Sequence, residues 1–186
     1  MIDKVAAVLV LRHDGAALLQ HRDDKAGLRH AGMWVPPGGH AESGEPMFDC
    51  ARRELREETE YDTSDLRFLM SFDDTVKGWP AYQLTIYWCW YDGVQSVACH
   101  EGQGLAFIKC SMAANYPIPP SIINVWDAAL AAAGVTTEES TPNPALRAGE
   151  SEVLASGARS AWLGAGECCV QLSGGHSLGE RNQDMG

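Results

Sequence analysis

Glu54, Glu57 and Glu58 stand at i, i+3 and i+4. A helix through them puts all three carboxylates on one side. Like charges at that spacing destabilise a bare helix by roughly a few tenths of a kcal/mol per pair. A cation lying over them changes that balance. Hard divalent ions such as Mg²⁺ or Mn²⁺ take carboxylate oxygens and keep some waters that a phosphate can replace. Arg53 directly precedes the first of these acids and can pair with Glu45, clamping the preceding loop to the helix. The competing reading is a solvated helix face neutralised by Arg52, Arg53 and Arg56.

The elements that would position these acids follow from periodicity. "VAAVLVL" (5–11) and "AALLQHR" (16–22) read as strands about an Asp14-Gly15 turn. Residues 23–37 read as a loop containing Trp34. A helix is expected from Pro46 to about Thr59. Pro46 suits a first helical turn, Glu45 favours the positive end of the dipole, and Phe48, Ala51 and Leu55 form a packing stripe displaced from the acids. "LRFLMSF", "YQLTIYWCWY" and "GLAFIKC" read as three further strands. A last helix is expected from Pro120 to Ala133, with Ile122, Ile123, Trp126 and Leu130 on one face and Gly134 as its stop.

The stretch from Gly39 to Tyr61 resembles the Nudix box: Gly, five residues, Glu, seven residues, Arg-Glu, an aliphatic, one residue, Glu-Glu, one residue, Gly, an aliphatic. Gly39, Glu45, Arg53, Glu54, Leu55, Glu57 and Glu58 match in register. Glu60 stands where the pattern has Gly, and Tyr61 where it has an aliphatic. With "GMWVPPGGHAESGE" leading into the box, the resemblance covers residues 3–133. It implies an α/β/α sandwich, a mixed sheet between helices, with the box as a loop-helix-loop.

The resemblance also implies a pyrophosphohydrolase that opens a diphosphate joining a nucleoside to another group. Mg²⁺, or Mn²⁺, would be held by Glu54, Glu57 and Glu58, with the Gly39 carbonyl near the metal. Glu45 and Arg53 would support the box. Glu54 or Glu101, the latter in "HEGQGLAF", would take the proton of the attacking water; the alternative for Glu101 is an acidic turn residue. Nucleoside triphosphates, oxidised ones included, and nucleotide sugars are the expected substrates. Arg22 is a candidate for phosphate, against a plain surface arginine. Trp34, Trp79 and Tyr82 are candidates to stack on a base, against plain core packing. A second reading is a catalytically weak Nudix-fold binding or regulatory module, favoured by Glu60 and opposed by the intact "RELREE". A prenyl diphosphate isomerase shares the fold, but no paired Cys/Glu arrangement supports it.

With 25 Asp and Glu against 14 Lys and Arg, and a net charge of -11, no nucleic acid is expected as partner. The resemblance implies a small nucleotide as the partner, and a homodimer is compatible. The six cysteines show no zinc-like spacing and are expected as free, mostly buried thiols. No run reaches the roughly 20 apolar residues of a membrane span, and no secretory leader is recognised, so a cytoplasmic location is expected. From Gly134 onward the composition shifts: residues 134–186 hold 9 of the 19 glycines, no lysine and one aromatic, Trp162. They form a Gly/Ser/Ala-rich tail expected to be poorly ordered, the alternative being a lid or dimer arm. A chain ending at Gly134 should keep a cooperative melt within a few degrees of the full chain. Scanning calorimetry of the two lengths checks it.

Overall fold

Val5 to Leu11 are apolar without interruption because both faces of their strand are covered. The strand is β1 (Asp3–Leu11), and the chain continues as β2 (Ala17–His21), β3 (Trp34–Val35), β4 (Gly38–His40), α1 (Met47–Thr59), β5 (Arg67–Asp74), β6 (Tyr82–Trp90), β7 (Gly104–Ile108) and α2 (Pro120–Ala132). A 3₁₀ turn over Cys110–Asn115 precedes α2. The computed structural model describes residues 2–135. The expectation for the tail therefore lies outside the described residues, apart from Gly134 and Val135.

The sheet runs β3-β2-β1-β6-β5, with β4 also on β1 and β7 on β2. β1 and β6 pair in parallel over their whole length, Asp3 opposite Tyr82 through Leu11 opposite Trp90. The other pairs are antiparallel, so the sheet is mixed, as expected. One edge of β1 is shared. β2 joins it only at Leu11–Ala17, while β4 pairs with Val5–Ala7. The Pro36–Pro37 bend fits between them, with the Val8 N–H donating to the Pro37 carbonyl at 2.9 Å.

Alternation along the strands sends two sets of side chains to two helices. Val5, Leu9, Leu11, Leu19, Ile86 and Trp88 pack with Val125, Trp126, Ala129 and Leu130 of α2. Ala6, Val8, Val10, Leu18 and Cys89 pack with Cys50, Ala51 and Leu55 of α1. The result is the expected α/β/α sandwich. The Trp126 indole N–H donates to the Gly15 carbonyl at 3.1 Å, tying α2 to the β1–β2 turn.

The strands and helices fall where periodicity placed them, with three differences. Gly38–His40, in the first loop of the box, pairs with Val5–Ala7 as a strand. Residues 23–37 do not remain loop: Trp34 and Val35 pair with His21 and Gln20. Pro46 is the N-cap, in extended conformation, and not the first helical residue. Cys50, Cys89, Cys99 and Cys110 are free, the first two buried and the other two half-buried. No helix among the described residues is long and apolar enough to cross a membrane.

Both departures from the box pattern are resolved structurally. Glu60 caps α1 at φ 60 and ψ -2, in the left-handed region, with its N–H donating to the Arg56 carbonyl at 2.9 Å. The helix thus leaves through the turn that glycine would favour, at a cost of about 1 kcal/mol for a residue with a Cβ. Tyr61 is 1% exposed and fills the α1-side core where the pattern has an aliphatic. Its hydroxyl donates to the Trp90 carbonyl at 3.2 Å and accepts from the Asp92 N–H at 3.1 Å. Tyr61→Ala should therefore cost about 3–5 kcal/mol. Tyr61→Phe, which strands two backbone groups, should cost about 1–2 kcal/mol. Urea unfolding at unchanged m-value measures both.

Candidate active site

The site begins at the two glycines of β4. A Cβ on Gly38 would lie 2.2 Å from the Ala6 carbonyl oxygen, and one on Gly39 would lie 2.5 Å from the Glu54 carboxyl. Gly38 thus lets β4 lie close against β1, and Gly39 lets the Glu54 carboxyl of α1 press against the β4 backbone. Glu58 is the innermost of them. It is 5% exposed and accepts from the Gly38 N–H at 2.9 Å. Burial raises its carboxyl well above the ordinary range, and the charges of Glu101 and Glu54 add to the rise.

Arg53 organises the outer shell as expected, and more widely. Its Nε and Nη2 donate to the two Glu45 carboxylate oxygens, each at 2.9 Å. Its Nη1 donates to Glu54 at 2.7 Å and Glu57 at 3.3 Å, and Nη2 also reaches the His40 carbonyl at 3.1 Å. The Arg53 bonds to Glu45, and then the Glu42 N–H donating to the same carboxylate at 2.9 Å, hold the Glu45 carboxyl down at about 2.

Glu54, Glu58 and Glu101 line one cleft of about 310 Å³ with Gly39, His40, Arg22, Arg29, His30 and Tyr82. Glu101 comes from the loop before β7, far away in sequence. Its carbonyl accepts from buried Gln20 at 2.9 Å, and the next residues bond the end of β2, Gln103 N–H to His21 carbonyl at 2.7 Å. Gly102, at φ 76, is required there because a Cβ would meet the His21 oxygen at 2.4 Å.

Arg22 and Arg29 line the same cleft as these acids. Arg22 borders the main cleft and both adjoining compartments. Among the described residues it forms no ion pair, and its buried Nε has no partner. Arg29 was not signalled by any sequence pattern. Its Nη2 pairs with Asp74 at 2.5 Å, its Nη1 donates to the Pro80 carbonyl at 3.2 Å, and its guanidinium lies 4.1 Å from the Tyr82 ring centre. His30, equally unsignalled, takes φ 56 and lines the same cleft. Burial, and then the Arg29 charge, hold its imidazole below the usual value.

Other expected residues divide. Tyr82 borders all three compartments, and Trp79 the outer one only. Trp34 lines none of them; it stacks on His21 at 4.9 Å and meets Tyr116 edge-on at 5.5 Å. Glu57 faces solvent beside the cleft, its side chain 55% exposed. As they stand, no three His, Cys, Asp or Glu side chains among the described residues close on a metal position. Arg53 engages Glu54 and Glu57 instead. The donor set nonetheless fits a divalent cation. A buried carboxylate within the field of two others is the group that such an ion neutralises.

The NUDIX domain profile matches residues 1–108. The chain belongs to the NUDIX family. Among relatives, a CTP pyrophosphohydrolase of Escherichia coli (strain K12) is 29% identical over 133 residues, covering 70% of this chain and 93% of that protein. An m7GpppN-mRNA hydrolase of Xenopus laevis is 41% identical over 58 residues, covering 31% of this chain and only 19% of that protein. The solution structure of the E. coli ORF135 protein superposes with a TM-score of 0.56 at 25% identity, over 74% of this chain and 95% of that one. The Nudix chain is, by this membership, a pyrophosphohydrolase.

The Glu45–Arg53 clamp makes a prediction about acid. Glu45 is held at about 2 in the fold against an ordinary 4.5. Its contribution is whole above the higher value and is lost as pH falls toward the lower one. Wild type should lose stability over that interval more steeply than Glu45→Gln, which never has the contribution. Melting temperatures followed from pH 5 to about pH 2 decide it.

Proposed function

We propose that this Nudix hydrolase opens the diphosphate of a nucleoside triphosphate, oxidised ones included, or of a nucleotide sugar, by attack of water at phosphorus. The observation that carries the reading is the shared cleft, lined by Glu54, Glu58, Glu101, Gly39 and Arg22 together. The similarity to a CTP pyrophosphohydrolase favours nucleoside triphosphates.

Glu54, Glu57 and Glu58, with the Gly39 carbonyl, would hold Mg²⁺ or Mn²⁺. Such an ion, when bound, neutralises charge growing on the phosphate oxygens and makes water easier to deprotonate. Release of Glu54 and Glu57 from Arg53 leaves that arginine on Glu45, so the clamp survives loading. Glu101, or Glu54, takes the proton from the attacking water. Arg22 receives phosphate oxygens, since its charge has no carboxylate partner within the described residues. Tyr82 and Trp79 offer aromatic surface for a base. Trp34 supports the sheet edge instead, being stacked between His21 and Tyr116.

A nucleotide panel with Mg²⁺ and Mn²⁺, scored by product mass, tests the reading; absence of metal-dependent cleavage across it would leave a binding module. Glu57→Gln and Glu58→Gln should each lower kcat/KM by about 100-fold or more, close to 3 kcal/mol of transition-state stabilisation. Glu101→Gln should lower kcat by about 100-fold if it is the base. Steady-state kinetics at saturating metal reads all three, and near-normal turnover in both box variants sinks the metal assignment.

A further inference from the structure

Glu60 holds a conformation that costs it energy, at the position where the box pattern has glycine. A glycine would make the same turn freely, so the side chain needs a reason to be there. Its carboxylate Oε1 meets the His100 Nε2 at 2.6 Å. A Nε2–H donates to a carboxylate whether the imidazole is neutral or charged. His100 directly precedes Glu101.

The bond belongs to a seam. The His100 N–H donates to the Glu58 carbonyl at 3.0 Å, and the Ala98 N–H to the Thr59 carbonyl at 2.9 Å. Those are carbonyls at the end of α1, which have no partner within the helix. On the far side, Gln20 and His21 hold the Glu101–Gln103 stretch to β2. The segment between β6 and β7 has no helix or strand of its own. It must nevertheless keep the Glu101 carboxylate in the same cleft as Glu58 and Glu54, against their repulsion.

We propose that Glu60 is a positioning residue for the hydrolysis: through His100 it anchors the Glu101 segment to the end of the box helix and fixes the Glu101 carboxylate in the cleft. The departure from the box pattern thus exchanges an unstrained turn for a side-chain anchor that glycine cannot supply. The proposal rests on the reading of Glu101 as the proton acceptor, and its test separates the two.

Glu60→Gly should melt higher than wild type, because the turn is kept and its strain removed. It should nonetheless lose kcat by about threefold to tenfold with KM within twofold, since only the placement of Glu101 is loosened. His100→Ala should show the same loss, and the double variant no more than either single one. Glu60→Gln, which keeps an acceptor for His100, should regain most of kcat. In a Glu101→Gln background neither substitution should lower kcat further. A readout independent of turnover is amide hydrogen exchange over residues 98–103, which should quicken about tenfold or more in Glu60→Gly. Unchanged exchange and unchanged kcat in Glu60→Gly overturn the anchor, as do additive losses in the double variant. Full turnover in Glu101→Gln overturns instead the assignment of Glu101 as base, while exchange still reports on the anchor.

Discussion

Glu58 brings a carboxylate to a place where 5% of the residue remains exposed, inside the field of Glu54 and Glu101. An acid so placed costs free energy in the absence of a cation, and the surroundings are arranged around that cost. The Gly38 N–H gives it one fixed donor. Gly38 lets β4 lie close against β1, and Gly39 lets Glu54 of α1 come close to the same strand. β4 in turn is held on β1 beside Val5–Ala7, so the register of the central strand sets the depth of the acid wall.

Arg53 performs the complementary task at the surface of the same helix. One guanidinium satisfies Glu45, Glu54, Glu57 and the His40 carbonyl, and so ties the loop before α1 to the middle of the helix. A single planar fork can reach several acceptors at once, which an ammonium on a flexible stem does less well. The end of the helix is treated differently. Glu60 keeps a strained turn and reaches His100, while Tyr61 turns inward and fills core volume. Both are larger than what the box pattern carries, and each is absorbed by a partner outside the box: His100 for the first, Trp90 and Asp92 for the second.

The placement of the cations follows from the sheet. Because β2 leaves β1 after one paired position, its end carries Arg22 away from the central strands to the rim of the cleft. Arg29, bonded to Asp74 and Pro80 and stacked on Tyr82, joins the loop after β2 to the turn before β6. Cations and acids thus line one cleft of about 310 Å³.

Much of this was legible in the residues alone. The apolar runs marked the long strands, and the 3.6-residue stripe Phe48/Ala51/Leu55 marked α1 and separated its packing face from Glu54, Glu57 and Glu58. The Gly39–Glu58 spacing carried the family, because those residues lie within one loop and one helix, where distance along the chain dictates distance in space. β3 and β4, two and three residues long, carry no period to read and depend on pairing with β2 and β1. Tertiary structure alone decided that Glu101 shares a cleft with Glu58, that Arg29 lines it too, and that Trp34 packs between His21 and Tyr116 instead. It also decided that Glu57, adjacent to Glu58 in sequence, stays at the solvent edge. The physical reason is the same in each case. Helical spacing fixes which side chains share a side of α1, but the depth of each, and its neighbours from distant segments, are set by how β1, β4 and β2 lie beneath the helix.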